Sequence, residues 1–205
     1  MKYVAFSFVC LSVCLAWAND SKPINYDLLE SRIVEGQNLK YLPDQKEPFS
    51  GTTSRVYKPV LDSGVEKVQN NWKEGKRDGV TTLWHESGWK MGEQNYESGE
   101  KQSETQFYEN GRKESERFYE NGLIVGLFTK WYENGSKRSE SLFKNGTQEG
   151  LTTNWHEDGW KRAEGYYKNG IQEGLTTTWH EDGWKMGDFE MKDGKQNGLF
   201  TEYDK

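Results

Sequence analysis

The three histidines are the residues of this sequence best suited to chemistry, because they share one local setting. His85, His156 and His180 each follow a tryptophan and precede a glutamate. Imidazole nitrogen and carboxylate oxygen both bind zinc, so a His/Glu metal site is the first chemical hypothesis. Zinc needs its ligand atoms ~2.0–2.2 Å away, whereas equivalent residues of neighbouring two-strand repeats start about 9.6 Å apart. We therefore predict that the histidines are solvated surface side chains and that no metal is bound.

Other catalytic signatures are missing from the sequence. The 33 Asp and Glu residues are so numerous that a pair at a glycosidase separation has no diagnostic value. There is no Gly-x-Ser-x-Gly motif and no glycine-rich phosphate loop before a helix, and both cysteines, Cys10 and Cys14, lie near the N-terminus. We predict that the protein is not an enzyme and uses no cofactor.

The N-terminal residues have the form of a secretion signal. Lys2 precedes a largely apolar run over residues 4–16, and residues 16–18 read Ala-Trp-Ala. We predict a signal peptide over 1–18 with cleavage before Asn19. The apolar run is too short to span a bilayer, and no later segment approaches ~18 apolar residues, so we expect no transmembrane anchor. The expected location is secreted or periplasmic.

Lipoprotein anchoring through Cys14 is a minority alternative. Residues 11–14 read Leu-Ser-Val-Cys, which resembles a lipoprotein cleavage box, but Val13 is bulky where a small residue is favoured.

The charge of the chain argues against a nucleic acid partner. The formal net charge is −6, and removal of Lys2 makes it −7, with no basic cluster. We therefore expect no nucleic acid partner, since nucleic acids are bound chiefly by Lys and Arg.

Glycines divide the chain into tandem units of about 24 residues. The units begin at Gly51, Gly79, Ser103, Gly126, Gly150 and Gly174, with a truncated unit at Gly198. We assign 51–205 to six repeats plus this truncated C-terminal unit, 31–50 to an N-terminal capping hairpin and 19–30 to a leader. The aromatic content of 14% indicates an ordered chain, despite the low hydrophobic fraction.

Each unit is predicted to form two strands and two reversals. In the last full unit, the β-branched and aromatic run 174–180 is followed by the turn signal Glu-Asp-Gly. A second run, 184–191, ends in Lys-Asp-Gly. The prediction is an all-β protein, an elongated antiparallel β-sheet of tandem β-hairpin repeats roughly 60 Å long. Only residues 27–34 look mildly helical.

Alternation along the first strand predicts which side chains share a face. Leu175, Thr177 and Trp179 should lie on one face, which we take as the packing face, with Thr176 and Thr178 on the other. On the second strand a small residue and then an aromatic or Met recur four and eight places after the turn glycine. We expect the small residues to leave room for first-strand rings, so that two aromatic ladders interlock.

Three tryptophans just after the turns form the candidate partner-binding surface together with the histidines. Trp89, Trp160 and Trp184 fall on the opposite parity from the packing positions, so exposure is expected. Exposed rings could stack on sugars or dock a protein, since Trp and Tyr dominate interface energetics. The alternative is that the aromatic side chains only hold a thin sheet together.

The rhythm Trp/Tyr-x-x-x-Gly, with Lys-Asn-Gly and Lys-Asp-Gly turns, resembles the bacterial MORN-variant repeats of proteins labelled YwqK-like toxin–antitoxin antitoxins. The segments 39–43 (Leu-Lys-Tyr-Leu-Pro) and 47–51 (Glu-Pro-Phe-Ser-Gly) look like that family's opening unit. The resemblance covers about residues 31–205 and implies a MORN-like fold.

Two functions follow from these features. The first is a non-catalytic repeat scaffold that binds a protein partner in an exported compartment, in the manner of an inhibitor or antitoxin. The second is a carbohydrate or cell-wall binding module that uses the exposed tryptophans. Both lack a catalytic constellation and differ only in the ligand.

Overall fold

The computed structural model describes residues 22–56 and 65–203, and β-strands dominate them. One 3₁₀ helix spans Tyr26–Leu28. The strands are β1 (Ile24–Asn25), β2 (Glu30–Val34), β3 (Gln37–Tyr41), β4 (Gly51–Val56), β5 (Val65–Lys73), β6 (Lys76–Arg77), β7 (Gly79–His85), β8 (Lys90–Glu97), β9 (Glu100–Phe107), β10 (Lys113–Glu120), β11 (Leu123–Trp131), β12 (Lys137–Lys144), β13 (Thr147–Trp155), β14 (Lys161–Lys168), β15 (Ile171–Trp179), β16 (Lys185–Lys192) and β17 (Lys195–Glu202). The predicted signal peptide and Cys14 lie outside the described residues.

Within the described residues, fifteen strands form one long sheet. Its order is β1-β4-β5-β7 and then consecutive strands to β17, with β6 paired to β5. From β4 onward the neighbouring strands pair antiparallel, and β2 with β3 forms a separate two-stranded sheet. The prediction of an all-β antiparallel sheet of tandem hairpins is therefore confirmed.

The mildly helical expectation for residues 27–34 is wrong. Helical structure there is limited to the single turn Tyr26–Leu28, and Glu30–Val34 is strand β2. The β-branched Ile33 and Val34 favour a strand, which pairs with β3. The connecting Glu35 and Gly36 have φ of 50° and 78°, the two positive values that a type I′ hairpin turn requires.

Two kinds of turn alternate along the sheet. At one edge, two-residue type I′ turns join the units, as at Asn145 and Gly146 with φ of 49° and 78°. At the other edge the turns are longer. The Gly159 amide donates to the His156 carbonyl at 3.0 Å, and the His156 amide donates to the Trp160 carbonyl at 2.8 Å. We call this second edge the long-turn edge.

A β-bulge follows each long turn and changes which face the next residues occupy. Asn154 pairs with Ala163 and Trp155 pairs with Lys161, so Arg162 has no partner in this register. The same skip leaves out Met91, Glu114, Arg138 and Met186 in the other units. Because alternation is broken at the bulge, a residue before it shares a face with residues three positions later.

The sheet therefore has two different faces, which we name by their contents. The lysine face carries Thr177, Trp179 and Lys185, and the small-residue face carries Thr178 and Gly187. The expected interlocking of two aromatic ladders on one face is wrong. Trp179 pairs with Lys185 across the bulge at Met186, whereas Gly187 lies opposite Thr178, so the first-strand rings and the small residues are on opposite faces.

The assignment of Leu175 to a packing face is also wrong. Leu175 is 57% exposed, whereas Thr176 on the small-residue face is 4% exposed. Thr81 and Thr152, at the same place in their units, are buried as well. A single-layer sheet leaves its large side chains exposed on both faces, whereas the short Thr176 side chain lies among larger neighbours: Phe189 is its cross-strand partner, and the Gln172 side-chain amide donates to its hydroxyl at 2.9 Å.

Candidate binding face

Lysines and aromatic rings alternate along the lysine face beside the long-turn edge. Each lysine that follows a long turn lies over the ring of the next strand. The ammonium-to-centroid distances are 4.2 Å for Lys90 and Phe107, 5.7 Å for Lys113 and Trp131, 5.6 Å for Lys137 and Trp155, 5.4 Å for Lys161 and Trp179, and 4.5 Å for Lys185 and Tyr203. These distances are within cation–π range, so the column is a repeating electrostatic contact between units.

A column of threonines and carboxylates lies next to it on the same face. Its members pair in the order Thr82, Glu93, Thr105, Glu116, Thr129, Glu140, Thr153, Glu164, Thr177, Asp188 and Thr201. Each acidic residue forms an ion pair with the lysine three positions before it, at 2.5–2.8 Å. Hydrogen bonds from Lys185 and Thr177 lower the pKa of Asp188. The carboxylates of this column are thus already neutralised by lysines.

Beyond that column runs a row of large apolar side chains exposed to solvent. They come from six adjacent strands, β10–β15, and are 40–57% exposed: Phe118, Leu127, Leu142, Leu151, Tyr166 and Leu175. The register pairs Leu127 with Leu142 and Leu151 with Tyr166, so they are direct neighbours. We call this row the apolar stripe. It extends about 24 Å across five strand spacings.

Three exposed lysines border the far side of the apolar stripe. Lys144 and Lys168 lie two residues after Leu142 and Tyr166 and so project on the same face, and Lys192 takes the same place on β16. None of the three forms an ion pair with another described residue. The lysine face therefore places free positive charge beside apolar surface.

The predicted site residues lie along the long-turn edge rather than on this stripe. His85 stacks on Trp89 with centroids 5.2 Å apart, and His180 stacks on Trp184 at 4.9 Å. Trp89 and Trp184 are half-buried, whereas Trp160 is 56% exposed. The structure therefore brings each histidine of these two pairs onto the tryptophan of its own turn.

His156 belongs to a column that fastens one turn to the next. Its Nε2 lies 3.1 Å from the Trp179 carbonyl oxygen. Tyr132 at the equivalent position donates from its hydroxyl to the Trp155 carbonyl at 2.8 Å, and Tyr108 reaches the next repeat in the same way. This contact gives His156 a structural role. Among the described residues no group of His, Cys, Asp and Glu could hold a metal ion.

A charged cluster interrupts the small-residue face in the third repeat. The Glu104 carboxylate accepts from Tyr119 at 2.8 Å and pairs with Lys101 at 3.1 Å and Arg117 at 3.3 Å. Burial raises the pKa of Glu104, but the hydrogen bonds from Tyr119 and Lys101 and the Arg117 charge outweigh it, so the pKa is lowered. Three side chains thus stabilise one carboxylate: Tyr119 donates a hydrogen bond, and Lys101 and Arg117 supply positive charge.

Three stretches of the chain match the family model described as MORN repeat variant: 77–98, 124–145 and 148–169. The second and third end at the type I′ turns of Asn145 and Asn169, so each matched stretch covers two strands and the long turn between them. A comparison with curated proteins gives no match. The three matches support a MORN-repeat protein.

MORN repeats are commonly non-catalytic repeat modules. In the part of the chain that the structure describes, no helix is both long and apolar enough to span a bilayer.

The sequence did not lead us to predict the apolar stripe or the column of lysines that lie over aromatic rings. A signal for this column was present, because a lysine and an acidic residue recur two and five places after each long-turn glycine, as in Lys161 and Glu164 after Gly159. Simple alternation puts these two on opposite faces, so the pairing could only be found by placing the bulge.

Proposed function

We propose that the protein is a non-catalytic repeat scaffold that binds a protein partner through the apolar stripe in an exported compartment. The observation that carries this proposal is the row of six adjacent apolar side chains left exposed on one face. Contiguous exposed apolar surface rimmed by polar residues is typical of interaction sites, whereas scattered apolar residues are normal. Here the threonine–carboxylate column and the free lysines form the rim.

The exported location is supported by the N-terminal segment 1–18, which has the form of a signal peptide. Mass spectrometry of the N-terminus of protein from the exported fraction should find Asn19 first. A chain that retains Met1 in that fraction, or that stays in the cytoplasm, contradicts this part of the proposal.

Stripe variants test the protein-binding part. Leu151→Asp and Leu175→Asp should reduce recovery of a stoichiometric protein partner from the exported fraction at least tenfold, because each places a charge within the apolar interface. Ile33→Asp is the matched control, since Ile33 is 79% exposed on the separate β2–β3 sheet. Circular dichroism shows whether the variants keep the sheet. Recovery that is unaffected by the stripe variants contradicts the proposal.

Inhibition of the partner, in the manner of an antitoxin, is the form of this function that the family resemblance implies. Binding without catalysis suits an inhibitor. If a captured partner is an enzyme or toxin, adding the protein should reduce its activity with the same dependence on Leu151.

Carbohydrate binding is a second candidate that one observation favours. The Trp160 ring is 56% exposed on the long-turn edge and lies against Gly183 of the next turn, where a Cβ would come within 2.7 Å of the ring. Such a ring can stack on a sugar. Trp160→Ala should abolish binding to a purified cell-wall glycan, and Trp184→Ala, at a half-buried ring, is the comparison variant. If Trp160→Ala binds the glycan as tightly as wild type, this candidate function is wrong.

A further inference from the structure

We infer that the segment that occupies the apolar stripe is an amphipathic α-helix of the partner with acidic residues along one flank. This inference rests on the proposed function and adds a conformation and a charge to the partner. It follows from the direction of the stripe, the state of the backbone around it and the charges that border it.

The stripe crosses the strands and lies in the interior of the sheet. Its strands β10–β15 are each hydrogen-bonded to a neighbour on both sides. A partner strand can join a sheet only at an unpaired edge, so strand addition does not reach the stripe. The partner segment must lie on top of the side chains.

A helix satisfies its own backbone when it lies on an apolar surface. An extended segment in the same place would lay many of its N–H and C=O groups against apolar side chains such as Leu127, Leu151 and Leu175, which cannot hydrogen-bond with them, at a free-energy cost. A helix rises 1.5 Å per residue, so about 16 residues cover the 24 Å of the stripe.

The border charges determine one flank of that helix. On one side of the stripe the carboxylates Glu140, Glu164 and Asp188 are each paired with a lysine. On the other side Lys144, Lys168 and Lys192 are exposed and form no ion pair with a described residue. The complementary side chains are therefore carboxylates.

The spacing of the lysines also determines where the acids belong. Successive lysines of this column are two strands, or about 9.6 Å, apart, which corresponds to six or seven residues of a helix. Glu120 takes the equivalent place on β10, and on β16 the exposed Glu190 pairs with Leu175 at the end of the stripe, so the acidic flank is required over β12–β14. Glu149 and Glu173 near this border accept hydrogen bonds from the amides of Asn169 and Asp193 at 2.7 and 2.9 Å, so both already serve the turns.

Designed peptides test the inference on the purified full chain. Two fluorescent 16-residue helical peptides share a leucine face and differ in one flank, which carries glutamates in the first and lysines in the second. By fluorescence anisotropy the glutamate peptide should bind at least tenfold more tightly, a difference of about 1.4 kcal/mol. The combined change Lys144→Glu, Lys168→Glu and Lys192→Glu should reverse the preference.

A charge-matched control keeps the result specific. Lys22→Glu, Lys46→Glu and Lys73→Glu together change the net charge equally at exposed residues outside the stripe, so they should leave the preference unchanged. Equal affinity for the two peptides, absence of saturable binding by both, or a preference that the first triple variant does not alter overturns the inference.

Two further probes address other occupants. A glutamate peptide with a central proline, which cannot form the continuous helix, should bind at least tenfold more weakly, and equal binding overturns the helix. Any binding of anionic phospholipid vesicles should be the same for wild type and for the first triple variant. Vesicle binding that the first triple variant abolishes would show that the lysines recognise a membrane and would overturn the inference. If the peptide results are negative but recovery of a protein partner still depends on Leu151, the proposed function stands and only this inference is wrong.

Discussion

The Nζ atom of Lys161 lies 2.5 Å from Oε2 of Glu164, although residues three apart on a regular strand point to opposite faces. The bulge at Arg162 makes the contact possible, because it places Lys161 on the face of Glu164. The same Lys161 lies over the Trp179 ring of the next strand. One unpaired residue per repeat thus connects an ion pair within a strand to a cation–π contact between units.

Deletion of Arg162 should destabilise the sheet far more than its replacement. Without the extra residue, regular alternation turns Lys161 away from both Glu164 and Trp179. We expect the free energy of unfolding in urea to fall by about 1–3 kcal/mol, whereas Arg162→Ala, at an exposed position, should change it by less than about 0.5 kcal/mol. Equal effects of the two changes would show that the bulge does not set the face.

The type I′ turns predict a stabilising substitution. Ser98 has φ of 50° at the position that Asn121, Asn145 and Asn169 fill in later units. Asparagine tolerates the left-handed region better than serine, so Ser98→Asn should raise the free energy of unfolding by a few tenths to about 1 kcal/mol. The reverse change, Asn145→Ser, is the matched control and should lower it by a similar amount. A loss with Ser98→Asn contradicts the turn assignment.

His156 should be replaceable by tyrosine. Tyrosines at positions 108 and 132 make the same bond to a carbonyl one repeat later, so His156→Tyr should keep the contact to the Trp179 oxygen. His156→Phe retains a ring and removes the polar atom, which should cost about 0.5–1.5 kcal/mol in urea unfolding. If tyrosine and phenylalanine have equal effects, the bond to Trp179 does not stabilise the edge.

The strands and turns could be predicted from the sequence because their signals are local. The run 174–180 is β-branched and aromatic, and Asn-Gly and Asp-Gly pairs allow the positive φ values of hairpin turns. The faces could not be predicted by alternation alone, because the skip at residues such as Met186 depends on the pairing of two strands. The exposure of Leu175 has another cause: its face follows from alternation, but the sheet is a single layer, so no other described element packs on that face. The binding candidates that were chosen by residue type, such as Trp184, lie on the long-turn edge. The stacking of Trp184 on His180 could not be predicted from the spacing of the two residues.

The cluster around Glu104 should make stability depend on pH. The pKa of Glu104 is lowered from its ordinary 4.5, so the folded state favours the carboxylate. Its contribution is complete above the ordinary pKa and is lost as pH falls through the lowered value. At pH 7, Glu104→Gln should reduce the free energy of unfolding by about 1–3 kcal/mol, because Lys101 and Arg117 lose a partner.

Urea unfolding of wild type and Glu104→Gln at a series of pH values measures both the effect at pH 7 and its pH dependence. The difference between wild type and Glu104→Gln should shrink as pH falls from 4.5 through the lowered pKa, since the unfolded chain is protonated at Glu104 first and the folded protein only at lower pH. Burial lowers the pKa of Lys101, but its hydrogen bonds to Glu104 and Tyr119 outweigh burial and raise the pKa, so its own contribution is present below 10.5 and is lost as pH rises through the raised value. Glu114→Gln, at the exposed bulge of β10, is the control and should change stability by less than about 0.5 kcal/mol at pH 7. A difference between wild type and Glu104→Gln that stays constant down to pH 3 would show that the carboxylate charge of Glu104 does not stabilise the fold.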